Sequence, residues 1–152
     1  MSTRSAIGMF DEKTGKIKSV YCHWDGYPSH NGAILEEHYT ETAKVEKLIS
    51  LGSISLLAER LEPEEGEEHS FDNPVNGVVV AYHRDRKDEY HVPNVWDDEE
   101  DYVKNTERSY WAEYVYLWKD GVWMVYKTPK HSEIYDENRW NTVADALCVC
   151  GV

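Results

Sequence analysis

Residues 21–32 read Tyr-Cys-His-Trp-Asp-Gly-Tyr-Pro-Ser-His-Asn-Gly, which puts three aromatic rings, two imidazoles, a carboxylate and an amide into one connection. A strand-to-helix connection needs only turn formers, so the surplus points to chemistry. Trp24 and Tyr27 would stack on a planar ligand. Asp25 would accept from ribose hydroxyls or ring amines, and His23 would donate to phosphate or act as acid or base. Tyr21 and His30 close the stretch at its two ends. Arg4 and Ser5 come beside His23 if the preceding strand pairs as a hairpin, and Arg4 then supplies a positive fork for an anionic ligand. A purely architectural reading also covers these residues, with Asp25-Gly26 as a turn, Pro28 stiffening it, Trp24 filling the core and His23 capping an element.

Other chemistry draws less from the residues. His23 and His30 are separated by six residues and His30 and His38 by seven, which matches no common ligand spacing, and Cys148-Val149-Cys150 lacks the two-residue spacer of a zinc knuckle. No metal and no cofactor is expected. Ser5, Ser29 and Cys22 lie near His23, but none sits in a glycine-flanked elbow, so the chain reads as non-enzymatic rather than as a nucleophilic catalyst.

Two acidic runs offer a different kind of site. Residues 62–72 carry six acids, among them Glu64, Glu65, Glu67 and Glu68, and residues 97–101 carry five, among them Asp97, Asp98, Glu99 and Glu100. Brought to one face, they would imitate duplex phosphates, which present a charge about every 1.7 Å of helix axis, and could occupy a nucleic-acid-binding groove on a basic protein. A solvated loop and a helix-capping cluster account for the same residues.

Charge and composition narrow the partners. Sixteen basic against twenty-nine acidic side chains leave a net charge of −13 over 152 residues. That field repels nucleic acid and anionic membranes, so neither is an expected partner, whereas a basic protein surface is attracted. Six Trp and eleven Tyr against two Phe leave most large rings with a polar atom to satisfy, which suits a wet pocket or an interface. The three cysteines, Cys22, Cys148 and Cys150, form no ordinary disulfide framework. No apolar run approaches the ~20 residues of a membrane span and no signal-peptide pattern follows Met1, so a reduced, cytoplasmic protein is expected.

The elements that must position these side chains follow from periodicity. Residues 4–10 and 16–23 flank a polar, glycine-containing turn and read as a β-hairpin. Ile34, Leu35, His38 and Tyr39 sit on one helix, and Val45, Leu48 and Ile49 on a second that Gly52 ends. Residues 53–61 read as a third short helix through Ile54, Leu57 and Leu61. An exposed acidic loop at 62–72 leads to a strand at 78–83, a charged turn and a partner strand at 89–92. Asp97 is placed to cap a helix, with Glu100 three residues on. Residues 113–118 and 122–126 flank Lys119-Asp120-Gly121, the clearest hairpin, and residues 140–150 read as a C-terminal helix. The sum is one α+β domain over 1–152, a mostly antiparallel sheet with two or three short helices near 32–61 and a helix at the C-terminus.

The string Ser2-Thr3-Arg4-Ser5-Ala6-Ile7, with residues 21–28 and then Gly32 and Leu35, resembles a family of small uncharacterised proteins encoded by phages and prophages. The similarity runs through Val45, Leu48, Ile49 and Gly52 to about Leu57, roughly the first third of the chain. The resemblance implies a context rather than an activity: small acidic phage proteins often block a host defence protein or sequester a signalling molecule in the host cytoplasm. Two expectations result. One is a phage accessory protein whose acidic surface engages a basic host protein, itself a nucleic-acid binder in the mimicry version. The other is a protein that holds or cleaves a nucleotide-like metabolite at the turn of residues 21–30.

Overall fold

The computed structural model describes residues 2–128 and 140–149. In chain order these form β1 (Ser5–Asp11), β2 (Lys16–Cys22), a π-helical turn (Pro28–Gly32), α1 (Ala33–His38), α2 (Thr42–Ser50), β3 (Ile54–Leu56) and β4 (Val80–Ala81). There follow α3 (Tyr82–Arg86), β5 (Asn94–Trp96), α4 (Glu99–Ser109), β6 (Tyr114–Lys119), β7 (Val122–Lys127), β8 (Trp140–Thr142) and α5 (Val143–Val149). The strands make one sheet in the order β4-β3-β2-β1-β6-β7-β8, with β5 also on β2. The fold is α+β, and its sheet is mostly antiparallel.

Two hairpins set the register. β1 meets β2 antiparallel from Ser5 opposite Cys22 to Asp11 opposite Lys16. β6 meets β7 across Asp120 and Gly121, both at positive φ (54° and 75°), as a two-residue turn that follows the twist of its strands requires. β1 then runs parallel to β6, joining the hairpins through their first strands.

Alternation along these strands feeds two cores, because both faces of the sheet are covered. Ile7, Met9, Val20, Cys22, Tyr116, Trp118, Trp123 and Val125 point toward α1, α2 and α5. Ala6, Ile17, Val115, Leu117 and Tyr126 point the other way, toward Tyr102 and Val103 of α4. The buried rings carry their polar atoms to backbone acceptors: Tyr39 donates to Ala58 O, Trp123 Nε1 to Tyr39 O and Tyr102 to Tyr116 O.

Five expectations change. Residues 53–61 contain β3 and not a helix: Ile54 pairs with Cys22 and Ala81, and its carbonyl accepts from His23 N at 3.1 Å. Tertiary pairing overrides the helical spacing of Ile54, Leu57 and Leu61. The strand expected at 78–83 is only Val80–Ala81, because the Asp85 carboxylate takes the Ala81 N–H at 2.7 Å and turns the chain into α3. Residues 89–92 form no strand. Tyr90 instead donates to Ser50 O, and the pairing strand is β5, beyond Pro93. The cap of α4 is Asp98, which accepts from Asp101 N at 2.8 Å, and the C-terminal helix begins only at Val143, after β8. The part of that expected helix at Cys150 lies outside the described residues.

Candidate functional site

The connection from β2 to α1 divides into a buried half and an exposed half. Gly26 lies where β1 passes: a Cβ there would stand 2.7 Å from Ser5 Cβ and 2.8 Å from Thr3 O, so no other residue fits without displacing backbone. Its N–H donates to Thr3 O and its carbonyl accepts from the Tyr116 hydroxyl at 2.6 Å, which fixes the turn to β6. Behind it Asn31, fully buried, donates to Ser5 Oγ, Cys22 Sγ and Trp24 O, and accepts from His30 Nδ1 at 2.9 Å. Burial pushes the Cys22 thiol up to about 11, so it is neither thiolate nor nucleophile near neutral pH. Ser5 is likewise sealed in this cluster and cannot touch a ligand. Ser5, Cys22, Gly26 and Asn31 build the turn.

Tyr21, His23 and Arg4, all partly exposed, form the other half. Arg4 Nε donates to the Tyr21 hydroxyl at 3.1 Å, so the phenol directs its own proton to His23 Nδ1 at 2.5 Å. Burial raises the Tyr21 phenol, and Arg4 only partly offsets it. His23 is lowered from its ordinary value, first by burial and then by the Arg4 charge. Both groups are therefore neutral near pH 7, with the phenol as donor and the imidazole as acceptor.

These side chains open onto a groove that the sequence reading did not contain. Arg4 lies 5.9 Å from the centre of the Trp111 ring, which is 71% exposed and sits at φ 57°, an unfavourable backbone for a bulky residue. The Arg4 carbonyl accepts from Glu113 N, and Tyr110 N bonds back to Thr106 O, so β1 and the end of α4 together hold the Arg4, Tyr110 and Trp111 side chains beside Tyr21. Arg4, Tyr21, Ser53, Ser109, Tyr110 and Trp111 enclose a cavity of about 450 Å³. A second cavity of about 540 Å³ shares Tyr21 and Ser53 and continues past Tyr82, His83, Tyr90 and His91.

Of the expected ligand residues, Arg4 and Tyr21 line this groove and His23 is bonded to it through Tyr21. Trp24, Asp25, Tyr27 and His30 line neither cavity. Trp24 packs edge-on against His23 at 4.6 Å, while Tyr27 contacts His30 and donates to Asp25 at 3.4 Å, so the four form an adjoining surface patch. Tyr110 and Trp111 were missed although the same signal, surplus rings in a short connection, is present at 109–111. Among the described residues no three His, Cys, Asp or Glu side chains converge in a metal-binding group.

Most of the acidic residues are already paired. Asp97 meets Lys16, Asp98 caps α4, Glu99 meets Lys119 and Glu100 meets Lys104. Glu67 bonds Arg60 and Glu64 N, and Glu64 lies 3.9 Å from Arg60. The runs also start from opposite layers: Leu61 packs with the α1 and α2 core, whereas 97–101 open α4 on the other face. Glu65 and Glu68 remain exposed and make no ion pair among the described residues.

Fold and groove together define a mixed-sheet α+β protein with an open, ring-lined cleft at one edge of its central hairpin. Comparison with protein-family models, with curated proteins and with solved structures finds no match to the chain. No described helix is long and apolar enough to cross a membrane.

Proposed function

We propose that the protein binds a planar anionic ligand of nucleotide type in the groove beside Tyr21, and that it acts by holding this ligand rather than by turning it over. The observation that carries the reading is Arg4. In a chain of net charge −13 its guanidinium has no carboxylate partner among the described residues, and only its Nε is engaged. The terminal nitrogens stay available for a bidentate oxyanion, and Trp111 presents a ring beside them. Tyr21 holds the fork in place, which lowers the entropy lost when a ligand arrives. The groove offers no activated nucleophile, since Cys22 is sealed and His23 is turned to Tyr21. In the phage setting that residues 2–57 resemble, such a site would withhold a small signalling nucleotide from the host.

Calorimetric titration with AMP and GMP tests this. Arg4→Ala should weaken the wild-type affinity by about tenfold or more, in line with a charge-assisted hydrogen bond at about 1.5–3 kcal/mol, with the melting temperature little changed. Absence of nucleotide binding by the wild type, or equal binding by the variant, overturns the proposal.

A second reading, an acidic surface engaging a basic host protein, draws on Glu65 and Glu68, exposed and without an ion pair among the described residues. The pairing of the other acids within the fold leaves it with fewer free charges than the sequence suggested.

A further inference from the structure

The two neighbouring cavities, or lobes, share Tyr21 and Ser53 as lining and differ in charge. Each lobe, at about 450 and 540 Å³, is by itself the size of a small-molecule pocket, which spans ~300–1,000 Å³. Arg4 lines the first lobe and donates to the shared Tyr21, and its guanidinium has no carboxylate partner among the described residues. In the second lobe the other guanidinium is already spent: Arg86 lies over Phe71 and Tyr82, each ring centre 4.7 Å away, and Asp88 closes its fork at 2.9 and 2.5 Å. Glu89 adds a further carboxylate to that lobe. A phosphate is therefore received at Arg4 and not at Arg86.

What the second lobe does offer is ring surface with hydrogen-bonding capacity. Tyr90 is 40% exposed, fixed by its bond to Ser50 O at 2.9 Å and set edge-on to His83 at 5.1 Å. His83 Nδ1 donates to Asp88 O, which holds the imidazole beside Tyr90. Trp111 supplies the matching ring in the first lobe. The arrangement is a ring in each lobe and, bonded to the shared Tyr21, one guanidinium with no carboxylate partner among the described residues.

From this geometry we infer that the ligand is a dinucleotide: the linking phosphodiester meets Arg4 at Tyr21, one base stacks on Trp111 and the other on Tyr90. The inference rests on the nucleotide reading of the groove. A longer strand would carry additional phosphates into a field of net charge −13, and each is repelled, so two bases and one link is the size that fits.

The probes are AMP and GMP, the dinucleoside monophosphates ApA and GpG, and a ten-residue oligodeoxyadenylate, titrated against the whole protein. The better of ApA and GpG should bind at least about fivefold tighter than its mononucleotide, because one base stacked on an aromatic side chain is worth about 1–3 kcal/mol. Tyr90→Ala should erase that gain and leave mononucleotide affinity within about twofold, while Tyr90→Phe keeps the ring and the gain. Melting temperatures of both variants separate lost stacking from lost folding. Equal affinity for mono- and dinucleotides, or a gain untouched by Tyr90→Ala in folded protein, overturns the dinucleotide and leaves the nucleotide site standing. Tighter binding of the ten-residue strand also overturns it, in favour of single-stranded nucleic acid. Failure of every probe removes the underlying nucleotide reading instead.

Discussion

Three side chains decide how the site responds to protons. His23 accepts the phenolic proton of Tyr21, and Arg4 holds that phenol from the other side. Protonating His23 removes the acceptor and adds a second cation near Arg4, which is why burial and Arg4 both lower its affinity for a proton. In the window from the ordinary value of 6.5 down to the lowered folded value, the unfolded chain binds more protons than the folded one. Stability from this residue is thus full above 6.5 and is lost as pH falls through the window. His23→Gln should then destabilise the protein more at pH 7.5 than at pH 5, as read from melting temperatures of both proteins across that range. A gap between them that does not narrow toward acid would show that His23 is not held neutral by Arg4 and burial. A bound phosphate would reverse the effect of Arg4 on His23, so ligand binding near pH 6 should take up protons.

At the scale of elements, the five acids of 97–101 show what a sequence run conceals. All are helix-start residues by type, but Asp98 alone caps, accepting from Asp101 N with φ −155°. The Asp97 carboxylate makes an exposed bridge to Lys16 at 3.2 Å, while the Asp97 N–H donates to Asp101. Asp98→Ala should therefore cost about 1 kcal/mol in denaturant unfolding, and Asp97→Ala under about 0.5 kcal/mol. Equal costs would mean that the run acts as a diffuse charge at the helix dipole and not through one cap. The elements legible beforehand were those defined by local signals: the hairpins, where a turn glycine and alternating apolar residues coincide, and α2, where Val45, Leu48 and Ile49 share a face. β3 was not legible, because its strand character comes from Cys22 and Ala81, distant in sequence, and its own apolar spacing mimics a helix. The parallel union of β1 with β6 left no mark for the same reason: nothing within either strand records a partner about a hundred residues away.

The molecule as a whole sets a sign that separates the two readings of its surface. The sequence singled out Arg4 and Tyr21, which line the groove, but not its other walls, because Ser53, Tyr90 and Trp111 are brought near Tyr21 only by pairings and contacts between segments distant in sequence. It located the acids, but not that α4 and the 62–72 loop begin on opposite layers. What remains is a protein of net charge −13 whose Arg4, in a ring-lined cleft, has no carboxylate partner among the described residues. For a small anion entering that cleft, the long-range field repels while the contact with Arg4 attracts. Salt screens the first far more than the second, since the Debye length shrinks to about 8 Å near physiological ionic strength whereas a charge-assisted bond spans about 3 Å. Nucleotide affinity should accordingly stay flat or rise modestly between 50 and 300 mM salt, the reverse of the fall that phosphate-reading surfaces display. A basic protein partner drawn to the acidic surface would instead lose affinity over the same range. Calorimetric titrations of AMP across that salt series decide the matter: a steep fall would place the ligand against a broad cationic surface, and would remove Arg4 in its ring-lined cleft as the seat of binding.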